Sequence, residues 1–162
     1  MRTLIVYFSR TGYTKRIAES IAKEMHATLL PITETRSRLG FIGYQRCVLE
    51  AAFGFNAKID KAAIDPKSFD LVLLGTPIWG WHLASPVRAF ARQHAQAIGS
   101  CGFFCTMGGS GASAAFTELQ EIIGHAPLAT LALTDREVDS GAAAAKVEHL
   151  AAVLREPDAK PR

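Results

Sequence analysis

The sequence predicts an α/β fold, a three-layer, doubly wound sheet of five parallel strands with helices on both faces. Short apolar runs alternate along the chain with stretches of helical periodicity, which is the pattern of a helix-covered parallel sheet. The 162 residues, 49% of them hydrophobic, suit one domain with a substantial core. Three of the loops that follow strands are rich in Gly, Ser and Thr, residues that open helices and tight turns.

The first strand is expected at Thr3 to Phe8 and is followed by a helix from Thr14 to Met25. A second strand lies near Ala27 to Ile32 and a third at Asp70 to Gly75. The next helix runs from Pro86 to Ala95, with Ser85 as its cap and proline at its first position. The fourth strand covers Gly102 to Thr106, and its helix, Ser113 to Ile123, stops at Gly124. The fifth strand, Leu128 to Leu133, leads to a last helix from Ala142 to Leu154. That helix takes Ser140 as cap and puts Val147, Leu150, Ala151 and Leu154 on one face. The domain is expected to span 1–155, with a frayed, proline-punctuated tail at 156–162.

Between Thr33 and Ser68 the chain is longer than a strand-helix unit requires. A helix from Phe41 to Phe53 would carry Phe41, Ile42, Tyr44, Val48, Leu49, Ala52 and Phe53 on a broad apolar face. Segment 35–60 reads as a plain covering helix, as a flap over a ligand, or as a dimer surface formed through 39–55.

Composition removes several function classes. A net charge of +3, from 18 basic and 15 acidic residues, lacks the dense basic stripe of a nucleic-acid binder. The apolar run Leu4 to Phe8 is too short for a signal-peptide core or a membrane span, so no membrane partner and a cytoplasmic location are expected. Cys47, Cys101 and Cys105 form no CxxC pair. Positions four apart on one strand lie roughly 13 Å apart, beyond disulfide reach, so buried thiols are expected. His26, His94, His125 and His149 show no ligand spacing, and no metal site is expected. A receiver domain needs acidic residues where this chain has Phe8-Ser9 and Gly75-Thr76. The GxxxxGK[ST] loop of nucleotidases and the phosphate-loop cysteine of small tyrosine phosphatases do not occur.

In a right-handed parallel sheet, loops after strand C-termini share one rim, and ligands bind there. The first such loop is SRTGYT, Ser9 to Thr14, where unpaired N–H groups at a helix start, with the hydroxyls of Ser9, Thr11 and Thr14, suit a phosphate. The second, TPIWGWHLASP, Thr76 to Pro86, brings two tryptophans. The third, TMGGSGAS, Thr106 to Ser113, is a run of small residues with accessible backbone. Together they describe a site for a phosphorylated, planar, aromatic ligand.

These loops, taken in order over nearly the full chain, resemble the flavodoxin-like family, in its short-chain form. That family binds FMN at this rim of a sheet ordered 2-1-3-4-5. The resemblance implies that Ser9, Thr11, Gly12, Tyr13 and Thr14 hold the FMN phosphate, with Arg10 in the variable position of the loop. It assigns Thr76, Pro77, Ile78, Trp79 and Gly80 to the ribityl chain and isoalloxazine ring, with either Trp79 or Trp81 stacked on the flavin. It assigns Thr106, Met107, Gly108, Ser110 and the glycines Gly109 and Gly111 to the pyrimidine side.

The function implied is that of an oxidoreductase flavoprotein in electron transfer, with a redox partner protein or a small electron acceptor. The alternatives are an NAD(P)H-dependent FMN reductase of quinones or similar flat acceptors, and a flavin-free binding or signalling module. His82 reads either as a proton relay beside the flavin or as a solvent-facing loop residue. The chain departs from acidic electron carriers, since no Asp or Glu lies between Thr76 and Pro86 or between Thr106 and Ser113. Without carboxylates to oppose the reduced anionic flavin, its lowest couple is expected to be less negative than in such a carrier.

Overall fold

The computed structural model describes residues 1–34, 45, 49 and 58–156. The elements in chain order are β1 (Thr3–Tyr7), α1 (Tyr13–Met25), β2 (Thr28–Pro31), β3 (Leu71–Trp79), β4 (His82–Leu83), α2 (Ser85–His94), β5 (Ser100–Met107), α3 (Ala112–Ile123), β6 (Thr130–Thr134), α4 (Asp135–Ser140) and α5 (Ala143–Arg155). The helix expected at 41–53 and the tail from 157 onward lie outside the described residues, and so does Cys47.

The five parallel strands are ordered β2-β1-β3-β5-β6, the flavodoxin-like 2-1-3-4-5 order, and β4 adds a short antiparallel arm to β3. Alternation along each strand builds a core on each face. Leu4, Val6, Val72, Leu74 and Phe103 point to one side, where they meet Val87 and Phe90 of α2 and Leu119 of α3. Ile5, Tyr7, Leu71, Leu73 and Phe104 point to the other, against Ile17 and Ile21 of α1 and Val147, Leu150 and Leu154 of α5. The expected apolar face of the last helix is therefore the one that is buried.

Gly75 has a packing reason. A Cβ built on it would lie 2.1 Å from the tip of the Phe104 ring, which fills the space a side chain would need.

Four local expectations are corrected. The third strand does not end at Gly75 but runs on to Trp79, and the segment read as a loop folds back as a hairpin through Gly80 and Trp81. Ser85 is the first residue of α2 rather than its cap; Ala84 holds that place, and Pro86 stands second. Ser140 does not cap the last helix but ends α4, and Ala142 precedes α5. Helix α4 itself was not expected, although Thr134 and Glu137 have the S/T-x-x-E spacing of a capping box. The Thr134 hydroxyl accepts from the Glu137 N–H at 3.2 Å, while the Glu137 carboxylate accepts from the Thr134 N–H at 2.7 Å. Gly124, in the left-handed region at φ 89°, ends α3 as expected.

Two outcomes follow from this packing. Gly75→Ala forces the Phe104 ring to move, and an overpacked core of this kind costs about 1–3 kcal/mol. Urea unfolding checks it, and Phe104→Leu in the same chain should return part of the loss. Glu137 is held down from its ordinary 4.5 to about 2, first by the Lys146 ammonium, then by the Thr134 N–H and hydroxyl. Its contribution is present above 4.5 and disappears as pH falls toward about 2. Glu137→Gln should therefore flatten that part of the acid-unfolding curve, as followed by circular dichroism.

Candidate functional site

The rim at the C-terminal ends of β1, β3 and β5 carries a crevice of about 210 Å³. Ser9, Arg10, Thr11, Tyr13 and Thr14 line it from the first loop, Pro77, Ile78 and Trp79 from the end of β3, and Thr106, Met107 and Gly108 from the end of β5. The three segments singled out in the sequence thus meet at one place.

The first loop is braced from within. Gly12 takes a left-handed turn at φ 99° and its N–H donates to Ser9 Oγ at 3.1 Å, so this N–H serves the loop rather than a ligand. Helix α1 starts immediately after, and the N–H groups of its first turn have no acceptor within the helix. Thr14 is buried, with its hydroxyl 2.8 Å from that of Thr106, which ties the start of α1 to the end of β5. A hydroxyl pair uses one hydrogen between its two oxygens and leaves the other to donate elsewhere. Helix-start N–H groups and hydroxyls around a left-handed turn form a donor set that fits a phosphate. Tyr13 is fixed by donating to Asp139 Oδ2 at 2.8 Å, and Arg16 donates to Asp139 Oδ1 at 3.0 Å. The Tyr13 bond is the first cause that holds the Asp139 carboxyl below its usual range.

The two tryptophans part company. Trp79 is buried, packed edge-on against Phe8 at 5.6 Å between centroids. Trp81 is 68% exposed and sits at φ 66°, an unusual backbone for a bulky residue. With Gly80 at φ 52° it makes the two-residue turn whose double positive φ matches the twist of a hairpin. Its indole N–H donates to Ser110 Oγ at 2.7 Å, and a Cβ on Gly111 would come within 2.8 Å of the Trp81 Cα. The glycine loop therefore buttresses the tryptophan turn.

Several expected residues flank the crevice instead of lining it. Thr76 is fully buried, donating to the Pro77 carbonyl at 2.8 Å and accepting from the Ala84 N–H at 3.3 Å. Gly80, Trp81, Gly109, Ser110 and Gly111 are absent from the lining. His82 is not on a loop; it is the exposed first residue of β4, paired in register with Trp79, and it too lies outside the crevice lining. Cys101 and Cys105 are buried free thiols pushed up to about 12 by that burial, which disfavours the reactive thiolate.

Two functional groups escaped the sequence reading. Asp135, at the start of α4, lines the crevice, so the expectation of a site without carboxylates holds for the two loops but fails for the rim as a whole. Its sequence signal is the capping box of Thr134 and Glu137 around it. The other is Arg88 of α2, whose guanidinium is 1% exposed and forks onto both carboxylate oxygens of Glu118 in α3. The same group donates to the Leu83 carbonyl at 3.3 Å, which anchors the base of the tryptophan hairpin to both helices. No membrane-spanning helix and no metal-holding cluster occurs among the described residues.

A family model described as Flavodoxin matches residues 2–150. The chain belongs to the flavodoxin family. No curated protein sequence matches it. Among solved structures, a flavoprotein from Lactobacillus acidophilus NCFM in complex with FMN is similar at 26% identity and a TM-score of 0.70, with 86% of this chain and 97% of that one covered. The two-electron reduced flavodoxin of Megasphaera elsdenii shares the fold at 21% identity and a TM-score of 0.60, covering 94% of this chain and 98% of that one. For a flavodoxin-family chain, the rim just described is the place where the strand order reverses between β1 and β3.

Arg88→Met removes the cation of a largely buried pair and leaves Glu118, 28% exposed, without its partner. It should cost about 3 kcal/mol in urea unfolding, and loosening of the hairpin should shift the tryptophan emission in the same variant.

Proposed function

We propose that the chain is an FMN-binding redox protein that passes electrons to a partner. The observation that carries the reading is the crevice of a flavodoxin-family chain formed at the start of α1, with a donor set of helix-start N–H groups and hydroxyls. In this reading the first-turn N–H groups of α1, with Ser9, Thr11 and Thr14, hold the phosphate. Gly12 shapes the loop, while Arg10 and Tyr13 close its sides. Pro77, Ile78, Met107 and Gly108 border the remainder of the molecule, and Trp81, free of the core that claims Trp79, offers an indole to the ring. Thr76, Gly80, Gly109, Ser110 and Gly111 support these groups from behind.

Bound FMN supplies the electron-carrying chemistry. The protein contributes the anion seat and an aromatic turn kept in place by Ser110, Gly111 and Arg88. A net charge of +3 suits a partner whose docking face is not basic, a protein or a small acceptor.

Adding FMN to the apoprotein should shift and sharpen the flavin absorption bands, with tryptophan quenching. Thr14→Val should weaken FMN by about tenfold, or 1.4 kcal/mol, and riboflavin much less. Equal losses for both ligands would contradict the phosphate role. Under NADPH without oxygen the bound flavin should stay oxidised unless a reductase is added; rapid bleaching would move the assignment to an NAD(P)H-dependent reductase.

A further inference from the structure

Among the described residues Asp135 is the one carboxylate in the crevice lining, and it shares that lining with the phosphate loop. It is half-buried, and its carboxylate has no hydrogen-bond partner among the described residues. Nor does it serve the helix it begins, because Thr134 and Glu137 make the cap between them. The charged groups packed around it are engaged with others. On its own helix Asp139 is held by Tyr13 and Arg16 of α1, and Glu137 by Lys146 of α5. Arg10, on the first loop, lines the same crevice. The end of β5 contributes Thr106, Met107 and Gly108, none of them charged. An anion entering this crevice therefore meets a negative charge that no neighbouring cation of α1 or α5 pairs with directly.

We propose that Asp135 sets the charge selectivity of the crevice: while ionised it opposes a phosphorylated ligand, so filling the anion seat favours protonation of this carboxylate. The proposal rests on the FMN reading and adds to it the residue that limits how strongly phosphate is favoured. Like charges brought together in a partly desolvated site disfavour joint ionisation. The carboxyl already stands above its usual range, because of burial first and the Asp139 charge second, and a bound dianion pushes it in the same direction. Burial, Asp139 and a bound anion thus all act on this carboxyl in the same sense. A neutral ligand of the same shape, such as riboflavin, makes no such demand.

The experiment compares FMN with riboflavin by calorimetry, for the natural protein and for Asp135→Asn, from about pH 5 to about pH 8. The ratio of the two affinities cancels the ring and polyol contributions, and comparison of the two proteins at each pH cancels the titration of the FMN phosphate itself. At the alkaline end Asp135→Asn should favour FMN over riboflavin about tenfold more than the natural protein does. That difference should shrink as pH falls, because a protonated aspartate resembles the amide. Asp135→Ser should behave like Asp135→Asn, which separates loss of charge from gain of an amide donor. Equal ratios in all three proteins at every pH would overturn the proposal and leave the FMN reading intact. Weaker FMN binding by both variants at the alkaline end would also overturn it. If none of the three binds either flavin, the functional reading fails and this inference goes with it.

Discussion

Burial of both faces of a parallel sheet is the constraint on which the rest of this structure depends. Strands that run one way must be joined by crossovers that return over the faces, so every loop that leaves a strand C-terminus emerges on one rim. Helix N-termini gather there as well, with their unpaired N–H groups. The crevice is thus a consequence of the sheet, and local residues only decide what it accepts. The buried Thr14–Thr106 hydroxyl contact is where the two levels join, since it belongs at once to α1, to β5 and to the crevice lining.

Around this rim the chain spends polar contacts on holding loops still. Ser9 fastens Gly12, Thr76 fastens the base of the hairpin, and Ser110 fastens the indole of Trp81. Arg88 reaches from the interior to the Leu83 carbonyl and to Glu118. Such fixed groups reduce the ordering cost of binding, one of the costs a small site must overcome. They also explain why several small polar residues near the crevice do not face it.

The strands and most helices were legible in the sequence because burial on both faces leaves long apolar runs, as in Leu71 to Leu74, and these have few other readings. The phosphate loop was legible for a similar reason, since hydroxyls and glycine directly after a strand leave little choice of role. The hairpin was not. A tryptophan at positive φ is disfavoured locally, and here it stands where Gly111 leaves room for its backbone and Ser110 bonds its indole. Nor was the division of labour between the tryptophans, because it depends on Phe8 standing beside Trp79 in the folded chain. Arg88 reads as a solvated charge until Glu118 is brought to it from thirty residues away. Asp135 was hidden by a helix boundary: with the final helix begun at Ala142, its capping box and the carboxylate within it passed for loop.

The central claim is that the start of α1 and the end of β5 receive the phosphate-bearing flavin. Amide chemical shifts recorded while FMN is titrated into the isotope-labelled protein test it most directly. The account predicts that the largest changes fall on Thr11 to Lys15 and Met107 to Gly109. Changes gathered instead around Leu30, Ile59 and Phe90, which line a separate cavity, or no changes at all, would contradict it.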